Sequence, residues 1–560
     1  MLTDDSNYER LLNYLKDRGY ESYHDYFVKH RPSEEYYSRI YFQYPDNHLN
    51  WDLTDELGQI FCPEKRAHGY LLYYLATVIC TEGNTLADLR TIQDNFRQKM
   101  RGKPYTPTPG EFSTALKDLH QEKLIHIEGQ CVWHYTLWHY EKTITDVMKR
   151  TSEMRPLHLQ DADIFRGDLT EAQFGVLKSV TDHRIVIMDG LPGTGKTHAC
   201  SNIVNYLEQH GVPVWLLAPT GLAAKNLSDR CSRPARTLHS FVMLSETGSD
   251  GNDVAFLIDE FSMVDVRIFS QLVSKVFQEC DPIFIFVGDT GQLPSIGPGQ
   301  IFKELIELKD KYGIAYHRLE KIVRQQEGSE IIQNAHSIRF GKTDIINKNQ
   351  FQFAETDEHE ASDSIIKAAT KLKTAGKVCG RDFVVLSPTH KGQCGVAFLN
   401  EKLREIFNPH SYEKYETNNG MWREGDLVLI NQNFYNLGLV NGDIGTIKEI
   451  NNERSFVIKL FDREVRVTKE VIKTLKHAYA LTIHKSQGQE FPIVIMPFVN
   501  SFTIQLQRKL LYTGITRAKE KVIIFGHRAA LNKAINTSRE EYRKTGLKTL
   551  AGLMDESRND

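Results

Sequence analysis

The chain has 560 residues, with 69 Lys+Arg against 72 Asp+Glu, a formal net charge of -3 and 41% hydrophobic residues. That length exceeds what one hydrophobic core supports, so three or four domains are expected; the near-neutral balance excludes attraction of a polyanion by overall charge and leaves that task to local basic and polar grooves. The eight cysteines include no Cys-x-x-Cys pair, the N-terminal MLTDDSNYERLL has no apolar signal core, and no stretch approaches the roughly 20 apolar residues of a membrane span, so zinc and disulfide frameworks and membrane insertion are disfavoured and a soluble, cytoplasmic protein is expected.

Residues 1–66 are rich in aromatics (Tyr20, Tyr23, Tyr26, Phe27, Tyr36, Tyr37, Tyr41, Phe42, Tyr44, Trp51). Such a cluster could stack bases, but helical spacing explains most of these positions and favours an aromatic helical core. Residues 67–152 read as helices, a hairpin and a further helix. Apolar residues fall at helical spacing over 85–96 and 111–120, and 124–127 turns at Glu128-Gly129-Gln130 into 132–135. The order suits a winged-helix-like module, which could contact duplex DNA or serve as a spacer.

From about residue 183 the texture becomes α/β. Runs at 185–188, 214–217, 255–258 and 283–287 each lead into a Gly- or Pro-containing loop and a helical segment, the alternation of a parallel sheet with helices on both faces. A second set occurs at 383–386, 493–496 and 522–525. Two α/β domains follow, over 153–310 and over 311–420 with 475–535. Between the halves of the second, residues 421–474 hold only short strands and turns (427–430, 445–450, 456–460, 465–468), the pattern of a small inserted β-barrel. Residues 536–560 read as a helix and a frayed tail.

Gly190-Leu-Pro192-Gly193-Thr194-Gly195-Lys196-Thr197 fits G-x-x-x-x-G-K-[ST] directly after a buried-type strand. The glycines let backbone N–H groups wrap phosphates, Lys196 supplies a point charge to the β/γ oxygens, and Thr197 offers a hydroxyl to Mg²⁺. Asp259-Glu260 ends another strand; Asp259 can hold Mg²⁺ and Glu260 can polarise the attacking water. These two segments define an ATP site and favour a hydrolase.

The remaining motifs resemble those of RecD-like and Dda-like helicases of superfamily 1B, over roughly 165–530 and in that family's order. They are Leu169-Thr-Glu-Ala-Gln173; Ala218-Pro219-Thr220-Gly221; Thr237-Leu238-His239; Gly288-Asp289-Thr-Gly-Gln292-Leu293-Pro294; Leu319-Glu-Lys-Ile-Val-Arg324-Gln325; Ser387-Pro388-Thr389-His390; Leu481-Thr482-Ile483-His484-Lys485-Ser486-Gln487-Gly488-Gln489-Glu490; and Tyr512-Thr513-Gly514-Ile515-Thr516-Arg517-Ala518-Lys519. The resemblance implies two RecA-like motor domains and an SH3-like insertion. It makes Gln173 a reader of the adenine edge, Gln292 a sensor of the γ-phosphate and Glu490 a further nucleotide contact. It also implies single-strand contacts at Pro219, Thr220, His239, Thr389, His390, Thr482 and His484, and movement from 5′ to 3′ on single-stranded DNA.

Arg324 and Arg517, distant in sequence from Lys196, can reach the γ-phosphate only if ATP lies between the two domains, so hydrolysis requires a closed cleft. The strand contacts are mostly small and polar, suited to gripping phosphates without reading bases. The interval 241–253, where the family places a strand-separating pin, admits only a stubby hairpin. A DNA-stimulated clamp or switch within a larger repair, recombination or defence complex, with the N-terminal region meeting a protein partner, and an RNA helicase are the alternatives.

Overall fold

The computed structural model describes residues 6–45, 49–244, 252–321, 329–409, 414–417, 420–451, 455–460, 463–538 and 543–553. Its centre is a six-stranded parallel sheet in the spatial order Ala235–Thr237, Val214–Ala218, Asp253–Ile258, Asp281–Gly288, Ile185–Gly190, Ala315–Leu319. Alternate residues of a strand face opposite sides. Accordingly Ile185 and Ile187 enter one core with Phe256, Phe284 and Phe286, while Val186 and Met188 enter another with Leu257 and Ile285. Two apolar faces explain why these strands read as continuous hydrophobic runs.

The last strand of this sheet, Ala315–Leu319, pairs with Ile185–Gly190 and lies beyond the boundary expected at residue 310. It is an edge strand with one paired side and a mixed sequence, AYHRL, so it carries no hydrophobic run to announce it.

The second parallel sheet runs Phe351–Glu355, Ala518–Gly526, Phe491–Phe498, Phe383–Ser387, Ala480–Thr482. Between its halves lies a five-stranded antiparallel sheet, Leu427–Leu429, Ile444–Asn451, Ser455–Lys459, Glu464–Val467 and Lys476–His477, with its own small core around Ile447, Phe456 and Ile458. Among the described residues no helix is long and apolar enough to cross a membrane.

In the N-terminal region Phe27, Tyr37, Tyr41, Tyr44 and Trp51 are buried in one core that continues as far as Val132, so residue 66 does not divide two cores. A methyl group on Gly58 would lie 2.2 Å from the Tyr41 ring, so only glycine lets the ring seat there. Leu86–Asp88, expected to begin a helix, is a strand paired with Cys131–His134, which in turn pairs with Ile125–Glu128. The adjoining Thr85 N–H is taken by the Lys544 carbonyl at 2.9 Å, a long-range contact invisible to local periodicity.

Two further boundaries shift for the same reason. Helix Tyr135–Ser152 sends Leu137, Ile144 and Met148 into the core of the first sheet, and so do Leu547 and Ala551 near the C-terminus. The tail expected over 536–560 therefore returns at 543–553 as a strap. Arg543 donates to the carbonyls of Gly299 (2.7 Å) and Ser295 (2.9 Å), and the Gly299 N–H reaches the Gly83 carbonyl. Buried Glu141 collects the Thr85 hydroxyl (2.7 Å), the Trp133 indole N–H (2.9 Å) and the Gly546 N–H (3.0 Å).

Beside it, Glu304 takes the Thr545 hydroxyl at 2.7 Å and is 1% exposed. Burial, with repulsion from Glu141, raises its carboxyl from 4.5 to about 8, the Thr545 bond opposing. A group whose folded pKa is raised contributes stability that is complete below its unfolded pKa and is lost as pH rises through the folded value. Glu304→Gln should thus flatten the pH dependence of thermal unfolding between about pH 4.5 and 8; an unaltered slope in melting experiments across that range would count against this assignment.

Candidate nucleotide site and strand-contact surface

Strand Ile185–Gly190 delivers the chain into the glycine loop, and helix Lys196–Gln209 leaves it. Gly193 (φ 80°) and Gly195 (φ 74°) take left-handed backbone that L side chains rarely adopt, so the loop can curl with its amides inward. The Lys196 ammonium donates to the carbonyls of Gly190 (2.6 Å) and Leu191 (3.2 Å), folded over the loop it would share with phosphate. Thr194 is buried and its hydroxyl donates to Leu191 O, while Pro192 and Gly193 line the cavity in front.

Gln173 lies behind the phosphate loop and is not in the lining of that cavity. It is 1% exposed. Its carbonyl accepts the Thr170 N–H at 2.9 Å, and its amide donates to the carbonyls of Thr194 (2.9 Å) and Gly195 (3.3 Å). With both amide hydrogens and the oxygen engaged, it braces the phosphate loop from behind.

At the end of Asp253–Ile258, the Glu260 N–H donates to the Asp259 carboxylate at 2.8 Å. Glu260 itself sits at φ 52°, ψ 38°, a left-handed conformation uncommon for a non-glycine residue and characteristic of functional turns. Burial within the cleft raises both carboxyls. For Glu260 the neighbouring Asp259 adds to the rise, while Arg517 and Lys196 oppose it.

Arg517 arrives from the second lobe, just after helix Arg508–Ile515. It is 4% exposed and is fixed by its own lobe, donating to Thr513 O (3.1 Å), the Thr516 hydroxyl (3.2 Å) and Gln489 O (3.3 Å). It lines the same cavity, of about 420 Å³, as Lys196, Thr197, Asp259, Glu260 and Gln292. Gln292 is 4% exposed, and its side-chain oxygen has no hydrogen-bond partner among the described residues. Glu490 faces the cavity paired with Lys519 (3.1 Å) and Arg230 (3.7 Å). Arg324 lies outside the described residues.

Sequence reasoning missed Arg230. Its guanidinium donates to the Thr197 hydroxyl at 2.9 Å and approaches Glu490; an arginine in the last turn of an amphipathic helix carries no signal of that kind.

The expected strand contacts emerge at corresponding places on the two sheets. Pro219 and Thr220 follow Val214–Ala218, and His239 follows Ala235–Thr237, the strands at one edge of the first sheet. Thr389 and His390 follow Phe383–Ser387, and His484 follows Ala480–Thr482, at one edge of the second. His239 and His390 are exposed. Burial of the His484 ring, with His390 nearby, lowers its pKa, favouring the neutral imidazole. Thr220 and Thr482 serve the backbone first: Thr220 caps the helix Gly221–Cys231, and Thr482, 8% exposed, accepts the Lys485 N–H at 3.2 Å. The two lobes touch between these sets, where Asn226 donates to Gly488 O at 2.9 Å. Residues 245–251, most of the expected pin, lie outside the described residues.

Two α/β lobes, with a phosphate loop on one and a buried arginine of the other facing a shared cavity, form a two-lobed site of the P-loop type. Family models match in the same places: an AAA domain over 168–361, the SH3 domain of ATP-dependent RecD-like DNA helicases over 399–461, and a UvrD-like helicase C-terminal domain over 477–525. In these segments the chain is similar to RecD-like DNA helicases. It is 29% identical over 381 residues to the ATP-dependent RecD2 DNA helicase of Deinococcus radiodurans, covering 67% of this chain and 51% of that protein, so it spans about half of that relative's length. It is 25% identical over 539 residues to the RecBCD enzyme subunit RecD of Mycolicibacterium smegmatis, covering 87% and 94%. Among solved structures, Bacteroides Pif1 bound to ssDNA aligns with a TM-score of 0.44 at 18% identity, over 67% of this chain and 95% of that one.

Proposed function

We propose that the protein is an ATP-dependent helicase that moves 5′ to 3′ along single-stranded DNA and opens duplex at single-strand/duplex junctions. The observation that carries this reading is the presence of Lys196 and Arg517 on one cavity between two lobes, each lobe also bearing strand-contact residues at a sheet edge. ATP bound there draws the lobes together, and loss of phosphate lets them part. Each cycle shifts one set of backbone grips against the other. Separating a base pair costs on average about 1.4 kcal/mol per step, so one small displacement per nucleotide is energetically sufficient.

In this reading Lys196 neutralises the β/γ oxygens, Glu260 orients and deprotonates the attacking water, and Gln292 and Arg517 meet the γ-phosphate. Thr197 and Asp259 would hold Mg²⁺. Their hydroxyl and carboxylate oxygens suit a hard cation that keeps several waters and also binds phosphate, and Arg230 would release the Thr197 hydroxyl to it. The insertion acts as an SH3-like barrel beside the strand path, and residues 67–152 as a winged-helix-like module.

The test is ATP hydrolysis with and without single-stranded DNA, together with strand displacement on a 5′-tailed duplex. Lys196→Ala should fold normally yet lose about 10²–10³ in kcat, as when a charge-stabilising donor is removed, and with it displacement. Hydrolysis indifferent to DNA would defeat the proposal. Stimulation without displacement would point instead to a clamp, and equal stimulation by RNA to a different strand.

A further inference from the structure

The lobes meet a second time at a buried charge cluster, none of whose residues line the nucleotide cavity. Its centre is Arg339, the last residue of helix Glu330–Arg339, whose neighbours Ile331, Ala335 and Ile338 belong to the core of the second lobe. The guanidinium crosses to the first lobe, donating to Asp289 at 2.9 Å, to Asp189 at 3.3 Å and to the Thr290 hydroxyl at 2.7 Å. Tyr512, also from the second lobe, donates its hydroxyl to the other oxygen of Asp289 at 2.7 Å. Asp189 is further held by the Thr290 N–H and hydroxyl and by the Tyr316 hydroxyl. The Arg339 side chain is 8% exposed, and those of Asp189 and Asp289 are 1% and 0%.

The positions of these residues in the sequence give the cluster its meaning. Asp189 immediately precedes Gly190 of the phosphate loop. Asp289 opens the loop that carries Gln292, and Tyr512 lies on the helix that leads to Arg517. One guanidinium thus ties together the roots of three nucleotide-contacting elements. Next to it, the Leu293 N–H donates to the Thr513 hydroxyl at 3.0 Å and Gln487 donates to the Leu293 carbonyl at 3.4 Å. Buried charges stripped of their partners are strongly disfavoured, so this contact resists separation while the nucleotide side of the cleft opens and closes.

We infer that Arg339 is a positioning residue: with Asp189, Asp289 and Tyr512 it forms the fixed pivot on which the lobes rock, and it sets the register of Gln292 and Arg517 in the closed cleft. The inference rests on the motor reading and adds to it the location of the hinge. A pivot that slackens should leave nucleotide binding nearly intact while misplacing groups that act only in the closed state.

Steady-state ATP hydrolysis by the full chain, with and without single-stranded DNA, tests this on Tyr512→Phe, Arg339→Met and Arg339→Lys, each checked by thermal unfolding. Tyr512→Phe should lower kcat about ten-fold, the scale of one charge-assisted hydrogen bond, with KM for ATP altered less than about two-fold. Arg339→Met should lose more, and Arg339→Lys should recover part of that loss. A folded Tyr512→Phe protein with wild-type kcat, or a loss confined to KM, overturns the pivot. A wild-type protein whose hydrolysis ignores DNA overturns the motor reading instead, and the same variants then read the pivot through basal kcat.

Discussion

Arg517→Ala is expected to retain ATP binding and lose about 10³–10⁵ in kcat, the range seen when an arginine contributed across a nucleotide cleft is removed. Three hydrogen bonds from its own lobe hold the guanidinium, to Thr513 O, Gln489 O and the Thr516 hydroxyl, so its charge is already aimed before the cleft closes. Preorganised charge of this kind stabilises the transition state without reorganisation at the moment of reaction. Arg517→Lys should rescue little, because an ammonium cannot keep three divergent anchors and still reach phosphate. The measurement is kcat at saturating ATP alongside nucleotide affinity by titration; a fall smaller than ten-fold would remove Arg517 from the reaction.

Glu260→Gln should bind ATP and fail to hydrolyse it, with a loss of about 10²–10⁴, the usual contribution of a positioned general base. The amide keeps the size of the side chain and its left-handed backbone turn, so the change isolates proton acceptance. The pH profile provides the second readout. Burial and Asp259 raise the Glu260 carboxyl, so in the wild type activity should climb with pH as this group ionises above the ordinary carboxylate range. That ascending limb should vanish in the variant. A profile of unchanged shape would assign the base elsewhere.

Much of this architecture was legible because it is local. A strand buried on both faces must be apolar along its length, so Ile185–Gly190 and Asp281–Gly288 show in the sequence, and the phosphate loop follows from glycines that permit left-handed backbone. The short strands of the insertion alternate in burial, as in Ser455–Lys459 and Glu464–Val467, and were equally visible.

What escaped depended on partners remote in the chain or on competing roles for one side chain. Arg230 and Arg339 are single arginines in amphipathic helices, and only the folded lobes bring carboxylates to them. Leu86–Asp88 becomes a strand through pairing with residues 131–134. Gln173 had a local clue that the resemblance overrode: Thr170-Glu-Ala-Gln173 is also a capping box, in which the glutamine reaches back to the cap. In the structure its oxygen does so, while its amide group donates to the phosphate loop.

The strap at 543–553 has a consequence for biosynthesis. Glu141 and Gly546 are 405 positions apart, and at 5–20 residues per second a ribosome needs roughly 20–80 s to bridge them. Throughout that interval the nascent amino-terminal region has emerged while the Glu141 carboxylate lacks its Gly546 donor and Trp133 lacks the glycine that covers it. The strap can therefore lock this seam only after Gly546 has been translated.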